Sequence, residues 1–186
     1  VAGCGTGQHA LGTASRFLDC NVLAVDLSLS SLAYAIRKTQ ELGITNIEYM
    51  QADILSLNQL EREFDIVESV GVLHHMNDPL AGWKALVDML RSTGFMKIGL
   101  YSEIARQGIV EARREIALKE LTSTPDDIRR YREEIINRDA NSDSEVLKVL
   151  GYPDFYGLSE CRDLLFHVQE HRFTLLQIED SLRDLG

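Results

Sequence analysis

Val1-Ala-Gly-Cys-Gly-Thr-Gly7 is the stretch that decides the fold. A short apolar lead runs straight into glycines at positions 3, 5 and 7. Glycine has no Cβ, tolerates positive φ and lets a ligand rest against main-chain N–H groups. The stretch therefore reads as a loop made for close backbone approach. Nineteen residues beyond Gly7, a second apolar run, Asn21-Val-Leu-Ala-Val25, ends in Asp26. In doubly wound α/β folds an acid at the end of the second strand accepts hydrogen bonds from ribose hydroxyls. Loop and acid together predict an adenosine-containing cofactor lying across the first two strands.

The spacing narrows the cofactor. A dinucleotide fingerprint, G-x-G-x-x-G, needs a glycine where Gln8 stands, which disfavours a nicotinamide-dependent oxidoreductase. The pattern here is G-x-G-x-G, and more follows in order. Asn46-Ile-Glu-Tyr-Met-Gln51 reads as a third strand leading to Asp53 in Gln51-Ala-Asp-Ile54. Phe64-Asp-Ile-Val-Glu-Ser-Val70 reads as a fourth, running into Gly71-Val-Leu-His-His75. Gly94-Phe-Met-Lys-Ile-Gly-Leu-Tyr101 reads as a fifth, after a helix.

This succession resembles the motifs of the class I S-adenosylmethionine-dependent methyltransferases. The resemblance implies an α/β fold, a Rossmann-like doubly wound parallel sheet of strand order 3-2-1-4-5. It also implies site roles. Gly3, Cys4, Gly5 and Gly7 would line the methionine part of S-adenosylmethionine. Asp26 would hold the ribose hydroxyls, with Leu27 beside the adenine. Asp53 would accept from the adenine amino group, with the Ile54 N–H nearby, and Val70 would lie under the sulfonium. The strings Val72–Trp83, Lys97–Glu103 and Glu160–Thr174 further resemble a bacterial branch of the family. Its members often occur beside tetratricopeptide repeats, which makes such repeats an expected association.

Composition sets outer bounds. At 186 residues the chain has the size of one domain. Its 45% hydrophobic and 26% charged content are those of soluble globular proteins. No apolar stretch reaches the ~20 residues of a membrane-spanning helix, so no membrane association is expected. Cys4, Cys20 and Cys161 form no C-x-x-C pair and suit a reducing cytoplasm. A net charge of −10 works against binding phosphate backbones, so a nucleic-acid partner is disfavoured. Only Val1 and Ala2 stand where about five residues of a first strand are expected. Terminal strands are likewise expected after the last helix, so the chain reads as a fragment truncated at both ends.

The chain divides by character. Residues 1–102 read as the cofactor-binding core, 103–172 as a helical insertion and 173–186 as the last core helix. Helices are expected over Gln8–Leu18, from a Ser28 or Ser30 cap to Glu41 before Gly43, and from Asp78-Pro79 to about Arg91. Trp83, Leu86, Val87 and Leu90 would form the buried face of that third helix. In the insertion Thr124-Pro125 is a helix start, Ser142 with Glu145 a capping box, and Thr174 with Gln177 another, with Phe173 and Ile178 as its staple. So long a connection is unusual, and near the carboxyl ends of the strands it would act as a lid over an acceptor pocket, the alternative being a packed helical appendage or an oligomer contact.

Methyl transfer from a sulfonium is an in-line displacement in which the protein aligns the groups, excludes water and sometimes supplies a base. His74 and His75, just past the fourth strand, are the candidate bases. Asn/Asp-Pro-Pro-aromatic, which holds a planar amino group in DNA and protein-glutamine methyltransferases, is absent after the fourth strand. That favours a small molecule or a protein side chain as acceptor. His167-Val-Gln-Glu-His171 fits the inverted zinc-peptidase pattern H-x-x-E-H on a helix, but too little chain follows for a third ligand, and no metal is expected. Arg162, Arg172 and Tyr156 are candidates for an anionic acceptor. A non-catalytic cofactor-binding module remains the alternative to an enzyme.

Overall fold

The computed structural model describes residues 1–139, 143–167 and 169–186. The chain forms two units, one of Val1–Leu100 with Leu176–Gly186, the other of Tyr101–Leu175.

The first unit is a parallel α/β assembly. β1 (Val22–Asp26) pairs with β2 (Ile47–Gln51), Val22 opposite Ile47 and Asp26 opposite Gln51. β3 (Phe64–Val70) pairs with β4 (Leu90–Gly99), Glu68 opposite Lys97 and Val70 opposite Gly99. Residues 1–3 join the two pairs. Ala2 bridges Val25 in parallel, and its N–H donates to the Glu68 carbonyl at 2.8 Å. Across the unit the succession is therefore β2, β1, residues 1–3, β3, β4. β1 is apolar from Val22 to Val25 because both its faces are covered there, as parallel strands require. Leu23 and Val25 pack with Val67, Leu73, Trp83 and Leu86 on one side. Val22 and Ala24 pack with Ala10, Ala14 and Leu32 on the other.

Local chemistry sets the helices of this unit. α1 (Gln8–Arg16) starts from Gly7, whose left-handed backbone turns the chain. α2 (Leu29–Glu41) is capped by Ser28, whose side chain accepts the Ser31 N–H at 3.2 Å, and Gly43 at φ 66° follows its end. α3 (Pro79–Val87) is capped by Asp78, which accepts the Ala81 N–H at 3.0 Å. Trp83 and Leu86 are buried as expected. Several boundaries differ from expectation. α3 stops at Val87, not near Arg91, and β4 begins at Leu90, not Gly94. The cause is pairing: the Met89 carbonyl already accepts the Phe64 N–H at 2.9 Å, and Leu90 stands opposite Phe64. α1 likewise ends at Arg16, two residues short of Leu18.

The second unit is helical. α4 (Gln107–Leu118), α5 (Pro125–Ile136) and α6 (Leu158–Leu165), with 3₁₀ turns at Glu145–Gly151 and Pro153–Phe155, enclose Ile109, Ile116, Tyr131, Ile135, Phe155 and Cys161. Thr124 caps α5 by accepting the Asp127 N–H at 3.3 Å. Ser142 of the expected capping box lies outside the described residues, and the turn beginning at Glu145 follows Ser144. α7 (Leu175–Leu185) opens directly after Thr174, and its Ile178 and Leu185 pack on the core of the first unit. Among the described residues no helix is long and apolar enough to cross a membrane.

Candidate functional site

The glycine loop is wrapped around the end of β1 by its own backbone. The Gly3 and Cys4 N–H groups both donate to the Val25 carbonyl, at 2.8 and 2.9 Å, and the Gly7 N–H donates to the Cys4 carbonyl at 2.9 Å. Asp26 then ties loop to strand. Its Oδ2 accepts the Gly5 N–H at 2.7 Å and its Oδ1 accepts the Ser28 N–H at 2.9 Å. One carboxylate thus fixes both the loop and the entry of α2, through short bonds strengthened by its charge. Its remaining lone pairs stay available to a ligand.

Two glycines are required by space as well as by backbone. Gly3 has φ 75°, and a Cβ there would lie 2.1 Å from Val72 Cγ2. Gly7 has φ 84°, and a Cβ would meet the Ala35 Cβ at 2.7 Å. At Gly5 an added Cβ would meet nothing within 4 Å, so the middle of the loop faces open space. Burial, then the negative Asp26, push the Cys4 thiol up to about 11. Cys4 is thereby a neutral wall and not a nucleophile.

A groove of about 670 Å³ opens beside the loop. Gly3, Cys4, Gly5 and Val70 of the expected cofactor residues line it. Asp26 reaches the loop through Gly5 without lining the groove, and Leu27 is exposed next to it. Asp53 caps the 3₁₀ helix Ile54–Leu60 by accepting the Leu55 N–H at 2.9 Å, and Ile54 is buried in the core. His74 and His75 lie in the turn Leu73–His75 with their ring centroids 4.3 Å apart. At 1% exposure His74 is closed to an acceptor arriving from solvent, whereas His75 is half-buried. The sequence reading missed His9, Glu68 and Lys97, which also line the groove. The signal was available: a charge inside an apolar strand, in the alternation Ile66, Glu68, Val70 that shares one face.

The second unit holds a different polar assembly. Arg106 grips Glu170 with two bonds, Nε to Oε1 at 2.8 Å and an Nη to Oε2 at 2.6 Å, and Arg113 reaches Oε2 at 3.0 Å. The Glu170 side chain is 1% exposed. Burial works to raise its pKa, but the Arg106 hydrogen bond and the neighbouring guanidinium charges prevail and hold it below the usual range. The Arg106 guanidinium also lies 3.6 Å from the centre of the Tyr101 ring. Arg172 bonds Glu103 at 3.0 Å, and the Tyr156 hydroxyl donates to the Leu150 carbonyl. Arg162 is exposed. The described residues around the H-x-x-E-H string are not helical, so His167 and His171 do not share a helix face. Val168 of that string lies outside the described residues. Glu170 serves an arginine clamp, and the described residues hold no group of three or more His, Cys, Asp or Glu able to bind a metal ion.

Comparison with known proteins follows the loop and strands. Residues 1–94 match the family described as a methyltransferase domain. An uncharacterized protein of a Synechococcus strain is 37% identical over 118 residues, which is 63% of this chain and 28% of the relative. The (S)-coclaurine N-methyltransferase of Papaver somniferum is 31% identical over 94 residues, 50% of this chain and 26% of the relative. The chain thus spans about a quarter of the length of these curated relatives. Among solved structures, PKMT2 from Rickettsia typhi superposes with a TM-score of 0.82 at 18% identity, covering 99% of this chain and 37% of that one. At that identity the likeness concerns the fold.

Proposed function

The chain belongs to the methyltransferase-domain family, and we propose that it transfers the methyl group of S-adenosylmethionine to a small molecule or a protein side chain. The observation that carries this reading is the short bond from the Gly5 N–H to the Asp26 carboxylate. It sets a nucleoside-binding acid beside a loop whose centre faces open space. The bound cofactor supplies an electrophilic methyl on a sulfonium. The chain supplies the cradle: backbone at Gly3, Cys4, Gly5 and Gly7 lines the methionine part, and Asp26 accepts from the ribose hydroxyls. Leu27 would cover the adenine, Asp53 and the Ile54 N–H would read its edge, and Val70 would lie beneath the sulfonium. If the acceptor arrives protonated, His75 is the base, since His74 is buried.

Three observations support the acceptor class. The chain carries no Asn/Asp-Pro-Pro-aromatic string after β3, and its net charge is −10. The relative named for a small-molecule N-methylation matches half of the chain, whereas those named for tRNA guanine methylation match about a third. The reading is tested by incubating the chain with methyl-labelled S-adenosylmethionine and separate pools of small amines and of proteins. Label should move to one of these pools and not to an added pool of tRNA, and Asp26→Ala should lower the transfer about tenfold or more at limiting cofactor. Cofactor binding without transfer to any pool would leave a non-catalytic module, and competition by NADH would revive the oxidoreductase.

A further inference from the structure

The groove beside the glycine loop carries a charge pattern that none of the expected cofactor contacts uses. Glu68 is the one carboxylate among its described lining residues, which also include the basic His9, Arg16 and Lys97. Glu68 lies on β3 two residues before Val70, and its side chain is only 17% exposed. His9, in the first turn of α1, approaches Glu68 Oε2 at 2.6 Å. Lys97, directly opposite on β4, approaches Oε1 at 3.6 Å and is otherwise largely exposed. A half-buried acid flanked by exposed bases is complementary to a zwitterion. The acid takes an ammonium, and the bases, freed from it, take a carboxylate. The amino-acid end of S-adenosylmethionine is such a zwitterion, and its adenosine end has its own partner in Asp26.

We infer that Glu68, Lys97 and His9 form the clamp for the amino-acid end of the cofactor. Glu68 accepts the α-ammonium, while Lys97 with His9 meets the α-carboxylate. The clamp rests on the cofactor reading above. It is a binding device with no covalent step, and it fixes the direction in which the sulfonium methyl points. The same three side chains also tie α1 to β3 and β4, so ligand binding exchanges internal ion pairs for bonds to the zwitterion.

The test uses two probes on the full chain: S-adenosylhomocysteine, which keeps the amino-acid end, and 5′-methylthioadenosine, which lacks it. Glu68→Gln should weaken S-adenosylhomocysteine about tenfold or more, as expected for loss of a charge-assisted bond. It should leave methylthioadenosine unchanged, which also reports that the groove is folded. Lys97→Met should weaken the first probe alone, by a smaller factor. If the wild type binds S-adenosylhomocysteine and Glu68→Gln weakens neither probe, or both equally, the clamp is overturned and the cofactor reading survives. If the wild type binds neither probe, the cofactor reading itself has failed.

Discussion

The glycine loop and the arginine corner of the helical unit are both polar assemblies, and they are built by opposite means. The loop is made from main chain: three glycines, N–H groups aimed at Val25, and one acid that secures Gly5. Its parts are close in sequence or held by adjacent strands. The arginine corner is made from long side chains gathered over large separations, Arg106 reaching Glu170 across 64 residues. Main-chain construction leaves a cradle open to a ligand. Side-chain construction consumes its charges internally, since Glu170 is surrounded by guanidiniums and shut from solvent. The same kind of polar chemistry thus leaves open space in one region and is spent on internal pairing in the other.

The largest expected effect tests the structural side. Glu170→Ala leaves the buried Arg106 without its carboxylate, and removing one partner of a buried pair costs about 3–5 kcal/mol. Denaturant unfolding should show that loss. A change below about 1 kcal/mol would mean that the corner is not structural. Next comes Gly3→Ala, which forces a side chain onto φ 75° and against Val72. A disfavoured backbone costs on the order of 1–3 kcal/mol, and S-adenosylhomocysteine affinity should fall with stability.

Acid should separate the two regions. Glu170, Glu115 and Glu134 are all held below their usual value of 4.5, the last two chiefly by hydrogen bonds from Arg138 and Lys119. Carboxylates with depressed folded-state values contribute stability that is full above the unfolded value. It is lost as pH falls through the folded one. Hydrogen-exchange protection, taken relative to the intrinsic rate at each pH, should therefore fall over residues 101–175 below about pH 4.5, while protection of Ala24 and Val25 in β1 persists further into acid. The smallest effect is a gain. Gly12→Ala, inside α1 with nothing within 4 Å of the new Cβ, should raise stability by about 0.5–1 kcal/mol.

What was legible in the sequence follows the same division. The loop and the caps Ser28, Asp78 and Thr124 act over a few residues, so their chemistry is written in adjacent letters, and Asp26 shows because it ends an apolar run. The start of β4 was not legible, because Leu86 and Leu90 continue a helical spacing that strand pairing with Phe64 interrupts. Glu68 was hidden for a related reason. Its alternation marks a face, but only the register with Lys97 and the approach of His9 show what that face meets. The string ending in His171 looked like a metal motif because Arg106 and Arg113, which claim its glutamate, are far away in sequence.

The central claim is that the glycine loop and Asp26 hold the adenosyl cofactor, and calorimetric titration with S-adenosylhomocysteine tests it most directly. The account predicts micromolar binding by the wild type and, in Asp26→Ala, affinity lower by about tenfold or more. No binding by a folded chain, or equal binding by the variant, would contradict it.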